Sequence, residues 1–275
     1  MASKSTSKAP AVRLTARPSG IAARRPASGA ESARKVLSVL LCFDAKRPFA
    51  TIDELAPLLG APLSTTYRYA ALLKDMGFLG DDGHGRYFIA PTVLRLSDAA
   101  RAAIGYAELA RGVVDELAVQ TGETVLLIQP LGHNGVCIAK AESAHSMRLA
   151  YELGAAFPLH RGAAPKALLA HFPANERERY LDHVARSEPT PGDKLAALRA
   201  ELERIRAEGV AYSRAEITSG VWAVAVPVYQ RDKAVLALSV AGPAFRLKKP
   251  LRPAVEQKVR QAAQRLSTLL TGLVS

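Results

Sequence analysis

The pattern of apolar and polar positions predicts a short helix that begins just after residue 51. Thr51 and Glu54 have the spacing of a capping box, in which each side chain satisfies a backbone N–H at the start of the helix. Gly60 is expected to end the helix. The apolar positions that recur on one face are Ile52, Leu55 and Leu58 or Leu59.

A second helix is predicted from about Thr65 to Met76, with Ser64 as its N-cap and Gly77 at its end. Two short helices joined by a tight turn form a helix-turn-helix, whose second helix presents its N-terminal residues to the major groove of DNA. The alternative is an exposed helix of an ordinary helical domain. The positions expected to face inward are Ala70, Leu73 and Met76.

The polar face of the second helix has hydroxyl and guanidinium groups that suit base edges and phosphates. After this helix, residues 78–79 and 86–89 are predicted as two short strands around an Asp-Asp-Gly-His-Gly turn. This hairpin completes the order of a winged helix. The predicted DNA-binding residues are Ser64, Thr65, Thr66, Tyr67, Arg68, Tyr69, Lys74 and Arg86.

Outside this region, some stretches of the chain have apolar residues at helical spacing and others have the short apolar runs of strands. Helices are predicted over about 32–45, 92–103, 106–121, 166–172, 174–185, 193–208 and 251–270. Strands are predicted over about 124–129, 135–141, 147–151, 210–213, 222–229 and 233–241. Strands that are interrupted by helices and then resume favour an α+β domain with an antiparallel sheet and helices packed against it.

Charge and composition point to a polyanionic partner. The net charge of +12 and the pI near 9.9 favour double-stranded DNA over a membrane, because no strongly basic amphipathic helix and no long apolar run occurs. The first 30 residues contain six Lys or Arg and no acid, which predicts a disordered arm touching nucleic acid, although a transit peptide has similar composition. The expected regions are an arm (1–27), a winged-helix domain (28–91), a linker helix (92–104) and a C-terminal domain (105–275).

Few residues suggest catalysis or metal binding. The two cysteines, Cys42 and Cys137, have no ligand spacing and fit a reducing cytoplasm; Cys137 is interpreted as a packed core thiol. The six histidines form no HExxH pair, and neither GxSxG nor a phosphate loop occurs. A hydrolase that uses His160 with Ser213 or Ser239 is the alternative to a DNA-binding regulator. No cofactor and no metal are expected.

The order of the motifs resembles the IclR family of bacterial transcription regulators. The resemblance runs through SARKVLSVL, TIDELAPLLGAPLSTTYRYAALLKDMGFL, RYFIAPTVLRL, TGETVLL, PLH, PKALLA, GVAYSRAEITSGVWAVAVPV and LSVAGP, in the family's order from residue 31 onward. It implies a GAF-like effector-binding domain for a small organic molecule, usually a carboxylate. It also implies a homodimer or homotetramer built through both domains.

The same resemblance implies a set of effector-binding residues. Ala163 and Ala164 are expected to offer backbone N–H groups at a helix start, where unpaired donors and the helix dipole favour an anion. The expected wall positions are Ser213, Trp222, Ala223, Ser239 and Ala241, with plain sheet packing as the alternative for Trp222.

Two departures from the family pattern favour a less polar ligand. Pro165 stands where a glycine is usual and removes one N–H donor, and Ala241 stands where many relatives have a second serine. A small aromatic monocarboxylic acid is therefore expected over a two- or three-carbon keto acid, and the regulated genes are expected to form a catabolic operon. Lys166 and Glu216 match positions of the family and are interpreted as an exposed helix charge and a capping or turn carboxylate, with direct contact to the ligand as the alternative.

Overall fold

The computed structural model describes residues 30–44, 46–103, 105–145, 149, 151–187, 192–246 and 251–272. These residues fall in two compact units, one ending at Leu109 and one beginning at Ala110. The predicted basic arm lies outside the described residues. Among those residues, every helix is too short or too polar to cross a bilayer.

The described part of the N-terminal unit contains four complete helices and a small sheet. A capping box closes the start of its second helix: the Thr51 hydroxyl accepts from the Glu54 N–H, and the Glu54 carboxylate accepts from the Thr51 N–H. Gly60 ends that helix in the left-handed conformation, with φ of 59°. The elements are α1 (Ala30–Leu40), β1 (Ala50–Thr51), α2 (Ile52–Leu59), α3 (Leu63–Asp75), β2 (Leu79–Asp81), β3 (Arg86–Ile89) and α4 (Val93–Ala103).

Helix α3 begins earlier than the sequence pattern predicts. Pro62 holds the N-cap position, so Ser64 lies in the first turn and the prediction of Ser64 as N-cap is wrong. Met76 is 57% exposed, because it caps the end of the helix where the core no longer covers it. The buried core of this unit consists of Val39, Ala50, Leu55, Ala70, Leu73 and Leu79.

The C-terminal unit is a six-stranded antiparallel sheet covered by helices, which confirms the α+β prediction. The strand order is β6-β5-β4-β9-β8-β7. Its strands are β4 (Thr124–Leu131), β5 (Asn134–Ala141), β6 (Ala156–Pro158), β7 (Ala211–Arg214), β8 (Val221–Gln230) and β9 (Lys233–Pro243). Its helices are α5 (Gly105–Thr121), which begins in the N-terminal unit, α6 (Ala163–Ala170), α7 (Ala174–Ser187), α8 (Gly192–Glu208) and α9 (Arg252–Gly272).

The edge strand β6 differs from the prediction. A strand was expected over residues 147–151, of which only Leu149 and Tyr151 are described, and neither lies in a strand. The residues that pair with β5 are instead Ala156–Pro158, in a segment predicted as a loop. Proline is tolerated there because the outer side of an edge strand needs no N–H donor.

The two faces of β8 and β9 carry side chains of different size. Ala223, Ala225 and Ser239 share the face covered by α6, because cross-strand partners in the antiparallel register point the same way. Val224 and Val240 share the opposite face, where α9 contacts both strands. Both faces are buried, which explains why these strands appear in the sequence as nearly continuous apolar runs.

Candidate functional site

The exposed start of α3 is the first candidate site. Ser64, Tyr67 and Arg68 are exposed and Thr65 is partly exposed, so hydroxyl, phenol and guanidinium groups share one surface. Tyr69 is partly buried and packs against the core of the N-terminal unit. Such a surface at a helix N-terminus suits the major groove.

Thr66 does not belong to this surface, so its assignment as a DNA-binding residue is wrong. Its side chain is fully buried, and its hydroxyl donates to the Pro62 carbonyl at 3.1 Å. Thr66 shares one face of α3 with the buried residues Ala70 and Leu73, four and seven positions later. The residue ties the helix to its own first turn.

The basic residues at the wing are paired with wing carboxylates. Lys74 forms an ion pair with Asp81, and the Arg86 Nε donates to Asp82 Oδ2 at 2.6 Å. The Arg86 guanidinium also lies 5.2 Å from the centre of the Phe49 ring. Hydrogen bonds from the His84 N–H and from Arg86 lower the pKa of Asp82 to about 2. Lys74, at the end of α3, and Arg86, in the wing, are therefore both paired within the chain.

The second candidate site is a cavity between the sheet and the start of α6. Its cavity volume is about 40 Å³, within a wider space of about 440 Å³ that includes open solvent. Six of the seven predicted effector residues line it: Ala163, Ala164, Ser213, Ala223, Ser239 and Ala241. Further wall residues are Leu126, Ile128, Tyr151, Phe157, Gly162, Pro165, Glu216, Ile217, Thr218 and Val221.

Trp222 is absent from this lining, and its assignment to the cavity is wrong. Strand β8 alternates its side chains, so Trp222 points away from the face that Ala223 shares with Ala241. The indole is buried, and its Nε1–H donates to the Pro243 carbonyl at 3.1 Å. Sheet packing accounts for this residue.

Backbone donors meet apolar walls at the start of α6. Gly162 is the N-cap with φ of 87° and ψ of 159°, and its carbonyl accepts the first helical hydrogen bond from the Lys166 N–H. Within the described residues, no hydrogen bond is formed by the N–H groups of Ala163 and Ala164. Pro165 has no N–H to offer and suits the first turn of a helix. These two donors and the dipole of α6 favour an anion at this end of the cavity.

Glu216 and Lys166 are the functional candidates that sequence reasoning underestimated. Glu216 Oε2 accepts from the Gly162 N–H at 3.0 Å, and its Oε1 lies 2.7 Å from Lys166 Nζ. Lys166 Nζ also donates to Glu201 at 2.7 Å. Only 2% of Lys166 is exposed, so its interpretation as an exposed helix charge is wrong, whereas the capping role of Glu216 is observed.

Gly162→Ala is expected to lower the free energy of unfolding by at least about 1 kcal/mol, because its φ and ψ are accessible essentially only to glycine. An added Cβ would also lie 2.5 Å from Ile217 Cδ1, which the flexible side chain can partly relieve. Urea denaturation measures the effect. Gly112→Ala, in helix α5 with open space around the added Cβ, is the control and should keep or raise stability. Equal stability of Gly162→Ala and the unmodified protein would contradict the assignment of strain.

The residues of the hydrolase alternative form hydrogen bonds with other groups. His160 Nδ1 lies 2.8 Å from the Tyr180 hydroxyl, while Ser213 and Ser239 line the cavity. The Ser239 hydroxyl donates to the Val224 carbonyl at 3.1 Å. Burial raises the pKa of the Cys137 thiol to about 12, so it stays protonated near neutral pH and acts as a core residue.

Comparisons with known proteins cover both units. The family described as IclR helix-turn-helix domain matches residues 32–83, and that described as bacterial transcriptional regulator IclR C-terminal matches residues 101–268. The chain is 27% identical over 227 residues to the HTH-type transcriptional regulator KipR of Bacillus subtilis (strain 168), covering 80% of this chain and 90% of KipR. It is 30% identical over 221 residues to the HTH-type transcriptional regulator BhcR of Paracoccus denitrificans (strain Pd 1222), covering 79% of each.

Solved structures show the same fold. The crystal structure of an IclR homologue from Microbacterium hydrocarbonoxydans, complexed with 4-hydroxybenzoate, matches with a TM-score of 0.70 at 19% identity, covering 88% of this chain and 99% of that one. An IclR-type regulator from Silicibacter sp. TM1040 matches with a TM-score of 0.68 at 27% identity, covering 87% of this chain and 96% of that one.

Proposed function

Because the chain belongs to the IclR family of bacterial transcription regulators, we propose that it controls a catabolic operon in response to a small aromatic carboxylic acid. It is a transcription regulator with a helix-turn-helix domain and an IclR effector domain. The observation that carries the finer proposal is a cavity with two unbonded N–H groups at one end and apolar side chains along its walls.

The carboxylate of the ligand is assigned to the start of α6. Ala163 and Ala164 are buried, so hydrogen bonds from their N–H groups form away from competing water. The dipole of α6 adds a favourable interaction of about 0.3–1 kcal/mol for a negative charge there. The walls formed by Leu126, Ile128 and Phe157 carry no cationic group that could bind a second carboxylate, which suits a ligand with one carboxylate.

The body of the ligand is assigned to the apolar walls. Ala223 and Ala241 are cross-strand partners, and their small side chains leave room above the sheet. The Ser239 hydroxyl donates its hydrogen bond to the Val224 carbonyl, so this hydroxyl does not donate to a keto oxygen of a ligand. Burying an aromatic ring supplies about 25 cal/mol per Å² of apolar area, which replaces polar contacts to a keto acid. An IclR homologue of this fold has been solved with 4-hydroxybenzoate, which is an acid of this class.

DNA binding is assigned to the exposed start of α3. Ser64, Thr65, Tyr67 and Arg68 are the residues proposed to contact base edges and phosphates. A homodimer or homotetramer would present two copies of α3 to half-sites on one face of the duplex.

Calorimetric titration tests the effector class. Benzoate and 4-hydroxybenzoate should bind more tightly than glyoxylate or pyruvate, and binding should change the affinity for operator DNA by the same coupling factor that DNA imposes on the acid. Tighter binding of glyoxylate or pyruvate would refute the aromatic preference. Ligand binding without any change in DNA affinity would refute the regulatory coupling.

A further inference from the structure

A carboxylate of the chain itself already lies at the start of α6. The two oxygens of Glu216 are held by different donors, the Gly162 N–H at 3.0 Å and Lys166 Nζ at 2.7 Å. The side chain of Glu216 is 30% exposed and lines the cavity, whereas Lys166 is buried beneath it. An ammonium and a helix N-terminus thus form a carboxylate site that is occupied by an internal ligand.

The segment that carries Glu216 is the turn between β7 and β8. Its backbone has positive φ at Ala215 (59°) and at Gly220 (73°), on either side of Glu216. Backbone hydrogen bonds hold its base, from the Ala215 N–H to the Val221 carbonyl and from the Ala244 N–H to the Gly220 carbonyl, both at 2.7 Å, whereas Glu216 at its tip is exposed. Ile217 packs against Gly162, and Thr218 hydrogen-bonds the Tyr151 side chain. The turn closes the cavity through these few contacts.

We infer that Glu216 competes with the effector for the carboxylate site, so that an arriving acid displaces Glu216 and releases the β7–β8 turn from α6. This inference rests on the proposed function and adds a mechanism by which the cavity senses its ligand. The donors of Glu216 are not the Ala163 and Ala164 N–H groups assigned to the effector, but an effector carboxylate there would lie beside Glu216 in the same helical turn, where two like charges repel. Binding of the acid is thereby linked to movement of the turn, which provides two states with different affinity for the ligand.

Glu201 offers a matched control for this inference. Its carboxylate lies 2.7 Å from Lys166 Nζ, as does that of Glu216, and its side chain is similarly exposed at 32%. Glu201 is not part of the cavity wall and does not cap Gly162. Removing either carboxylate alters the environment of Lys166, but only removal of Glu216 frees the Gly162 N–H and takes a negative charge away from the start of α6.

The first experiment uses acetate as a stand-in for the missing carboxylate. In Glu216→Ala, acetate should raise the Tm by about 2 °C or more relative to chloride at equal ionic strength, because an anion can enter the vacated site. The unmodified protein and Glu201→Ala should show no such difference. An equal response of the Glu216 and Glu201 variants to acetate would overturn the inference.

The second experiment measures benzoate binding to Glu216→Gln, which keeps the size of the side chain and supports the test should the alanine variant not fold. Removing the competing charge should lower the Kd for benzoate about tenfold, as expected if the site is open in roughly a tenth of unliganded molecules. Glu201→Gln should leave the Kd within about twofold of the unmodified value. Unchanged or weaker binding to Glu216→Gln would show that Glu216 merely supports the cavity.

The two experiments separate this inference from the proposed function. If acetate stabilises Glu216→Ala selectively but no aromatic acid binds the unmodified protein, the aromatic effector is wrong and the internal carboxylate remains established. If benzoate binds the unmodified protein and neither Glu216 variant differs from its Glu201 counterpart, the effector class stands and the competition is wrong.

Discussion

Replacing Ala241 by phenylalanine is expected to abolish the response to aromatic acids and to leave DNA binding by the unliganded protein unchanged. Ala241 is 2% exposed, lines the cavity and packs with Leu149, Val221 and Tyr151. A phenyl group at this position would fill the space proposed for the ring of the ligand. DNA binding is retained because coupling requires a ligand that prefers one of two states, and without a bound ligand that preference has no effect.

Calorimetry with benzoate and a DNA-binding titration measure the two properties of the Ala241→Phe protein. Overpacking can itself lower stability by about 1–3 kcal/mol, so the Tm of each variant is needed beside the affinities. Ala241→Ser adds one oxygen at the same position and should retain a ligand response, with a shift toward smaller, more polar acids. Undiminished benzoate binding by Ala241→Phe would place the ligand elsewhere.

Arg68→Ala is expected to weaken binding to a specific operator by about 10- to 100-fold, while the affinity for the acid is retained. Arg68 is exposed on the first turns of α3, where a guanidinium can make two hydrogen bonds to a guanine edge or contact a phosphate. An operator obtained by in vitro selection with the unmodified protein, followed by fluorescence anisotropy at fixed salt, measures the loss.

The controls for Arg68→Ala are Lys74→Ala and Arg86→Ala. Both cations are paired with wing carboxylates, Asp81 and Asp82, so their removal should affect specific binding less than removal of Arg68. If the loss is the same for all sequences, Arg68 contacts only phosphates. Operator binding that is unchanged by Arg68→Ala would reject α3 as the DNA-reading helix.

Local signals account for the parts of the fold that the sequence predicts well. The capping box of Thr51 and Glu54 and the left-handed Gly60 are determined within one helical turn, so they are recognisable without tertiary information. The wing hairpin is similarly marked by its turn residues, and the pairing of Leu79 with Ile89 confirms it. The place of α3 between α2 and the wing can therefore be predicted from local sequence alone.

Two site residues were assigned to the wrong face of their helix or strand. Thr66 faces the core because it precedes Ala70 by four residues and Leu73 by seven, which places all three on one face of α3. Trp222 lies next to Ala223 in the chain but on the other face of β8, since one position along a strand reverses the direction. Both directions follow from the periodicity of the element itself, which the assignment of these two residues did not apply.

The partners of Glu216 could not be identified from local patterns because they are distant in the sequence. Gly162 lies 54 positions away and Lys166 lies 50 positions away. The sequence indicates that Glu216 is a capping or turn carboxylate, which is correct, but it does not indicate which backbone group the carboxylate caps. The folding of β7 and β8 against α6 supplies that location.

The alternation of small and large side chains along β8 and β9 has a consequence for how such regulators diversify. Ala223, Ser239 and Ala241 set the space above the sheet, while Val224 and Val240 hold the helix below it. Successive residues of β8 and β9 face the cavity and α9 in turn. The size of the cavity can therefore change without altering the packing of the sheet against α9. A lineage can thus acquire a response to a new compound through a few substitutions on one side of two strands.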